Sequence, residues 1–374
     1  MTPTEAVFCD ANAGLPAAPD VLARFVEVEA RCPGNPASAH AAGRRARAEL
    51  EGARDRIAAA LGVASADVIF TSGGTEAANL AVHGLGDLAL PALLAPTEHA
   101  AVHEPAAVRG IEPWRVDGDG RALVVEPARP VGLVCLVHAQ SELGTVQPVD
   151  AALALARQLG VPCFVDAAQS LGRLPLGELL AAGAIVALSP HKAGGLRGHG
   201  VLAGADLAAR LQPLLRGGAQ ELGRRPGTQS PALAAANALA IEQAVAERSA
   251  RAAAMAAGRS AFLAGLAASG ATHRLVTPPD SLPNTALVHF PDVDGRNLVP
   301  ALDLAGVQAS HGAACSSGAP TPPRILTAIG LAEAEARACV RFSFGWREDL
   351  ERLRRTGGRT GDVVRALQKK SAGA

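Results

Sequence analysis

Four short polar stretches interrupt apolar runs in this chain, and each carries residue types able to do chemistry. Ser72-Gly73-Gly74-Thr75 follows the apolar Val68-Ile69-Phe70 and precedes an Ala/Leu-rich stretch. Glycines there let a backbone approach an anion, and N–H groups at a helix start bind phosphate. An ordinary capping turn would carry the same residues. Asp166 closes the run Val161 to Val165, and Gln169 follows closely. A carboxylate ending a buried strand needs a cation, which either a protonated pyridine nitrogen or a structural arginine supplies. Lys192 follows Ser189 and His191 and leads into the Gly-rich 193–200. A lysine so placed suits a Schiff base, because burial lowers its pKa and frees the amine; a solvated loop lysine is the plainer alternative. His99, in Thr97-Glu98-His99, again ends an apolar stretch. Together these supply a phosphate cradle, an amine, a carboxylate and a ring to stack, the requirements for binding pyridoxal phosphate.

The six cysteines, at 9, 32, 135, 163, 315 and 339, form no CxxC pair and no cluster with histidine. Neither a zinc site nor a disulfide framework is expected. Cys135 and Cys163 sit in apolar runs and read as small buried hydrophobes. Cys315 differs, lying between His311-Gly312 and Ser316-Ser317-Gly318 in a small, polar stretch that reads as an exposed loop. Such a cysteine is either a reactive thiol or a structural one.

The elements that position these residues follow from periodicity. Ala46, Leu50, Ala53, Ile57 and Leu61 predict a helix over 41–61, ended by Gly62. Short apolar strands are expected at 68–70, 131–137, 161–165 and 184–188, with a helix at 149–159 ended by Gly160. Strands alternating with helices imply a parallel α/β sheet with right-handed crossovers. The Ala-rich 231–268 reads as a long helical connection, and strands near 286–290 and 340–344 suggest a smaller α+β lobe. The fold class expected is therefore α/β, with a large, mainly parallel domain over 13–250. A small domain is assigned to 1–12 and 251–374, carrying Cys315. The basic residues from Arg352 to Lys370 read as a solvated helix face.

Composition narrows the function. The chain has 374 residues, with 35 Lys+Arg against 35 Asp+Glu. That balance argues against a nucleic-acid binder, which carries excess positive charge. At 49% hydrophobic and 19% charged it is globular rather than disordered. No run approaches the ~18 apolar residues of a membrane span, and no secretory signal is visible. A soluble, cytoplasmic protein without membrane partners is expected.

The chain resembles the cysteine desulfurases of the NifS/IscS group, within the fold-type-I, class V aminotransferase superfamily. The likeness runs from Asp10 to about Arg347. It rests on GNPASAH (34–40), FTSGGTEAANLAV (70–82), TEHAAV (97–102), VDAAQSLGRLPL (165–176), SPHK (189–192), GGAQELGRRPGT (217–228), HGAACSSG (311–318) and VRFSFG (340–345). The resemblance implies that Lys192 binds the cofactor, Asp166 pairs with its ring nitrogen, Gln169 with its ring oxygen, and His99 stacks on the ring. It implies phosphate ligands at Gly74, Thr75, Ser189 and His191. Thr228 matches a further ligand given to the neighbouring subunit, hence a homodimer. Arg341 matches the arginine that forks onto the substrate carboxylate, and Cys315 the sulfur acceptor, in a long-loop spacing.

The implied reaction takes sulfur from L-cysteine onto the Cys315 thiolate as a persulfide, leaving L-alanine. His99 is a candidate acceptor for the substrate thiol proton. The chain departs from the family's Asn-Asn-Glu-Xaa-Gly, having Gln140-Ser141-Glu142-Leu143-Gly144. Ser141 stands where the second Asn touches cofactor and substrate, so Gln140 and Ser141 are read as substrate-binding. It also stops without the extended tail that docks the iron–sulfur scaffold in the housekeeping branch. The sulfur-acceptor protein stays open among an iron–sulfur scaffold, a tRNA-thiolation carrier and a selenium pathway. Two other readings remain: another class V lyase or aminotransferase, and a non-catalytic dimeric homologue in sulfur trafficking.

Overall fold

The structure, a computed structural model, describes residues 6–293, 295–311 and 323–372. Strand β1 (Val7–Phe8) comes first. The central sheet is built from β2 (Val68–Thr71), β3 (Ala92–Leu94), β4 (Ile111–Pro113), β5 (Leu133–Val137), β6 (Cys163–Asp166), β7 (Ile185–Leu188) and β8 (Gly200–Gly204). Its order is β2-β8-β7-β6-β5-β3-β4, with β8 antiparallel to both neighbours and the other pairs parallel.

The reversal of β8 is the one departure from a parallel sheet, and the connecting chain explains it. A parallel return takes a crossover of roughly a dozen residues or more, usually a helix. Between β7 and β8 lie residues 189–199, whose regular structure is the short 3-10 turn Pro190–Lys192. The chain comes straight back, and the turn leaves Ser189, His191 and Lys192 at the carboxyl end of β7.

The first helices are α1 (Pro19–Arg31), α2 (Ala41–Leu61), α3 (Gly74–Gly84), α4 (Ala100–Arg109), α5 (Val149–Leu159), α6 (Gly177–Ala181) and α7 (Leu207–Arg210). Helix α2 has the bounds its periodicity predicts, and Ala46, Leu50, Ala53, Ile57 and Leu61 are all buried. Each buried Leu or Ile there contributes roughly 1.5–3 kcal/mol. Gly62 ends it at φ 72°, a left-handed conformation that glycine adopts without a Cβ clash. Two apolar clusters flank the sheet, one holding Leu50, Ile57 and Val165, the other Leu80, Phe164 and Ile185.

The expected long helix at 231–268 is two, α8 (Pro231–Ala246) and α9 (Arg248–Ala268), broken at Glu247. The rest comprises β9 (Arg274–Leu275), β10 (Thr285–His289), α10 (Gly295–Leu304), β11 (Val307–Gln308), α11 (Arg324–Ala328), α12 (Glu333–Arg337), β12 (Cys339–Ser343) and α13 (Leu350–Ala372). Strands β12, β10 and β9 form an antiparallel sheet, and β1 pairs with β11. Four of the chain's few phenylalanines, Phe262, Phe290, Phe342 and Phe344, fill this core. Helix α13 packs along α9 where glycines allow close approach: a Cβ on Gly265 would sit 1.9 Å from the Arg354 carbonyl oxygen. On its other face Arg354, Arg355 and Arg365 are exposed, the solvated face the charge pattern predicts. Among the described residues, no helix is long and apolar enough to cross a membrane and no His/Cys/Asp/Glu group could hold a metal.

Candidate active site

Parallel strands place ligands outside their carboxyl ends. Here the loops after β2, β3, β5, β6 and β7 converge on one cavity of about 380 Å³. Its lining includes Gly74, Thr75, His99, Gln140, Ser141, Asp166, Gln169, Ser189, His191, Lys192 and Arg341. Another hollow, of about 600 Å³ beside α2 at Arg54 and Glu221, is not lined by Lys192, Asp166, His99 or Arg341.

At the cavity rim α3 begins, and its N-cap Gly73 carries no side-chain cap. Its leading N–H groups and the positive end of the helix dipole face the cavity rim. Ser189 is buried against it, and a Cβ on Gly74 would lie 2.3 Å from Ser189 Oγ. Only glycine at 74 lets the Ser189 hydroxyl approach the start of the helix so closely. Burial, then the charges of Lys192 and Arg197, pull His191 down to about 4, so its ring is neutral at pH 7.

Asp166 ends β6, 8% exposed, with Oδ1 accepting the Ala168 amide hydrogen at 2.9 Å. His99 caps α4: its Nδ1 accepts from Ala101 N at 3.0 Å. Burial lowers its pKa most, Asp166 opposes, and Lys192 and Arg324 push it down further. The ring is therefore neutral with its proton on Nε2. That makes His99 a donor; accepting a thiol proton would require the capping bond to break.

Arg341 lies on β12, 2% exposed, reaching the cavity from the second sheet. Nη2 pairs with Asp10 Oδ1 at 2.5 Å, Nη1 donates to the Ser141 carbonyl at 3.2 Å, and Nε has no partner among the described residues. Ser141 is thus fixed through its backbone. Gln140 is committed to its own loop, with Oε1 accepting from the amides of Glu142 and Leu143 at 2.7 and 2.6 Å. Gln169 donates from Nε2 to the Asn12 carbonyl at 2.9 Å.

The donor set fits pyridoxal phosphate: an uncapped helix start beside the Ser189 hydroxyl for phosphate, Asp166 for a ring nitrogen and Lys192 for the aldehyde. A family model, aminotransferase class-V, matches residues 7–355. The chain belongs to that family. It is 34% identical to a cysteine desulfurase of Cereibacter sphaeroides, across 97% of each chain. A solved NifS-like protein superposes at TM-score 0.83 with 28% identity, over 99% of this chain and 100% of that one. A second structure, SspA in complex with cysteine, gives 0.77 and 27%, over 91% of this chain and 99% of that one. These likenesses carry the fold-type-I α/β architecture.

Of the remaining residues expected at the site, one is away from it and one is not described. Thr228 is exposed and off the family cavity of its own chain. Cys315 lies outside the described residues. The chain on its amino side is anchored at Ser310, which exchanges backbone hydrogen bonds with Arg341, and on its carboxyl side Pro323 and Arg324 line the cavity.

Sequence reasoning missed Asn12, Asp10 and Arg173. Asn12, 2% exposed, donates to the Ser141 carbonyl and Thr285 Oγ1 and accepts from Asn284 and Gln169. Short polar residues in an N-terminal segment give no periodic signal; only the tertiary contacts show their role.

Proposed function

We propose that the protein is a pyridoxal-phosphate-dependent cysteine desulfurase that converts L-cysteine to L-alanine and passes the sulfur on through Cys315. The observation that carries this is the meeting of Lys192, Asp166, His99, the bare α3 start and Arg341 on one cavity. When bound, the cofactor is an electron sink that acidifies the substrate Cα–H and weakens Cβ–S.

Arg341 takes the substrate α-carboxylate in the fork geometry of a guanidinium. Lys192 Nζ holds the cofactor and moves the Cα proton. His99 stacks on the ring and offers its Nε2 hydrogen. Asp166 keeps a ring nitrogen protonated. The Cys315 thiolate attacks the substrate sulfur, forming an S–S bond as Cβ–S breaks, and Cβ takes a proton. The balance is L-cysteine plus enzyme thiol giving L-alanine plus enzyme persulfide, and a sulfur-acceptor protein takes the outer sulfur. Support for L-cysteine comes also from the structural neighbour solved with cysteine.

The functional unit is a homodimer in the cytoplasm, with Thr228 of each subunit reaching the partner's phosphate site. Its exposure away from its own cavity supports this.

Borohydride reduction of the cofactor-loaded protein should mark Lys192 in a peptide map. Cys315→Ala should keep the yellow chromophore, yet give no persulfide with L-cysteine. An unmarked Lys192 in loaded wild type, or full turnover in Cys315→Ala with persulfide on Cys135 or Cys163, contradicts the proposal.

A further inference from the structure

Arg173 is 2% exposed and bonds to two residues that line the site, Gln169 and Lys192. Among the described residues no carboxylate pairs with it. Nη1 donates to Gln169 O at 3.0 Å and also to Gln169 Oε1. Nη2 donates to Lys192 O at 3.3 Å and to Ala11 O at 3.4 Å, and Nε has no partner among the described residues. Burial, with Arg341 adding to it, brings the guanidinium down to about 10, so it stays charged at neutral pH. A buried cation that meets only neutral oxygens is unfavourable by itself. Its contacts are specific: the side chain of one site residue and the backbone of another.

The consequence falls on the Gln169 amide. Its two ends, oxygen and NH2, differ in hydrogen-bonding sense, and only the surrounding network decides which faces a ligand. Arg173 takes Oε1. One Nε2 hydrogen goes to the Asn12 carbonyl at 2.9 Å. The second hydrogen is left for the cavity that Gln169 lines.

We propose that Arg173 is a positioning residue that locks Gln169 with its NH2 toward the cavity and ties that orientation to the backbone of Lys192. The inference rests on the pyridoxal phosphate reading above. A hydrogen bond donated to the ring oxygen of bound cofactor stabilises the anionic oxygen. It thereby lowers the pH at which the chromophore on Lys192 loses its proton. Losing a charge-assisted bond of this kind shifts that midpoint upward by about 1–2 pH units.

The test is a double-mutant cycle on the reconstituted holoprotein, reading the pH midpoint of the colour change in wild type, Gln169→Ala, Arg173→Lys and the pair. Lysine keeps the positive charge but not the two-pronged grip. Each single substitution should raise the midpoint, and the pair no further than Gln169→Ala alone. A wild-type midpoint in Arg173→Lys, or fully additive shifts, overturns the proposal. Should Arg173→Lys not fold, Gln169→Glu asks the same question with Arg173 intact: a carboxylate held by Arg173 presents no donor, so the midpoint must rise, and an unchanged one overturns the proposal. Wild-type protein that gains no chromophore at all sinks the underlying cofactor reading as well, so the two failures are told apart.

Discussion

Glu98 is buried beside His99, with Oε1 accepting the Val137 amide hydrogen at 2.7 Å and Oε2 unpaired among the described residues. Burial pushes its carboxyl from 4.5 up to about 8, Asp166 adding to the rise and the Val137 bond opposing it. The folded state thus holds a proton that the unfolded chain has lost. The contribution to stability is fully present below pH 4.5 and is lost as pH rises through about 8. Glu98→Gln keeps the acceptor for Val137 and removes the ionisation. Its denaturation free energy should fall less than wild type's between pH 5 and 8; parallel profiles would contradict the assignment.

Ser141 gives a second residue-scale prediction. With its carbonyl fixed by Arg341 and Asn12, an added side-chain amide would stand beside the arginine. One more hydrogen bond is worth roughly 0.5–1.5 kcal/mol, about a two- to twelvefold lower KM for L-cysteine in Ser141→Asn. Gln140 is already bonded within its loop, so Gln140→Ala should lower thermal stability and leave KM nearly unchanged. The opposite pattern in steady-state kinetics would place Gln140 on the substrate. Lys192, Asp166 and His99 were legible in the sequence because each ends an apolar run. Arg173 was not, since an arginine inside a turn looks the same whether buried or solvated.

At the scale of elements, α2 offers a paired test. Gly52 lies inside the helix with open space where a Cβ would go, and Gly62 has equal space but φ 72°. Gly52→Ala should stabilise by about 0.5–1 kcal/mol, from helix propensity and a less flexible unfolded chain. Gly62→Ala should destabilise by roughly 1–2 kcal/mol, because the left-handed conformation strains a Cβ. Urea titrations that moved both variants the same way would refute the argument. Helix α2 was readable from its apolar spacing and glycine stop, as was α5. The break between α8 and α9 was not, because Glu247 is neither Gly nor Pro and the Ala-rich pattern runs through it. The direction of β8 depended on the length of a connection, which periodicity does not report.

At the scale of the molecule, the segment from Asp10 to Asn12 joins the two sheets through Arg341, Thr285, Ser141 and Gln169, so the cavity exists only when both are in place. The proposed dimer makes a further demand. Thr228→Ala should weaken pyridoxal phosphate binding roughly ten- to hundredfold, as expected for one hydrogen bond to a charged group. Mixing it with Lys192→Ala protein should restore tight binding at one site in each mixed dimer, about a quarter of all sites after random 1:1 exchange, since one cavity of each mixed dimer has both residues. Absence of restoration after subunit exchange would show that Thr228 serves its own chain or none.

The central claim, that this cavity removes sulfur from L-cysteine and hands it to Cys315, is tested most directly by product stoichiometry. Purified holoprotein is incubated with L-cysteine and a thiol reductant, and sulfide and alanine are measured in the same samples. The account predicts equal, catalytic amounts of both from wild type, and neither above background from Cys315→Ala or Lys192→Ala. Pyruvate in place of alanine, or alanine without sulfide, would contradict it.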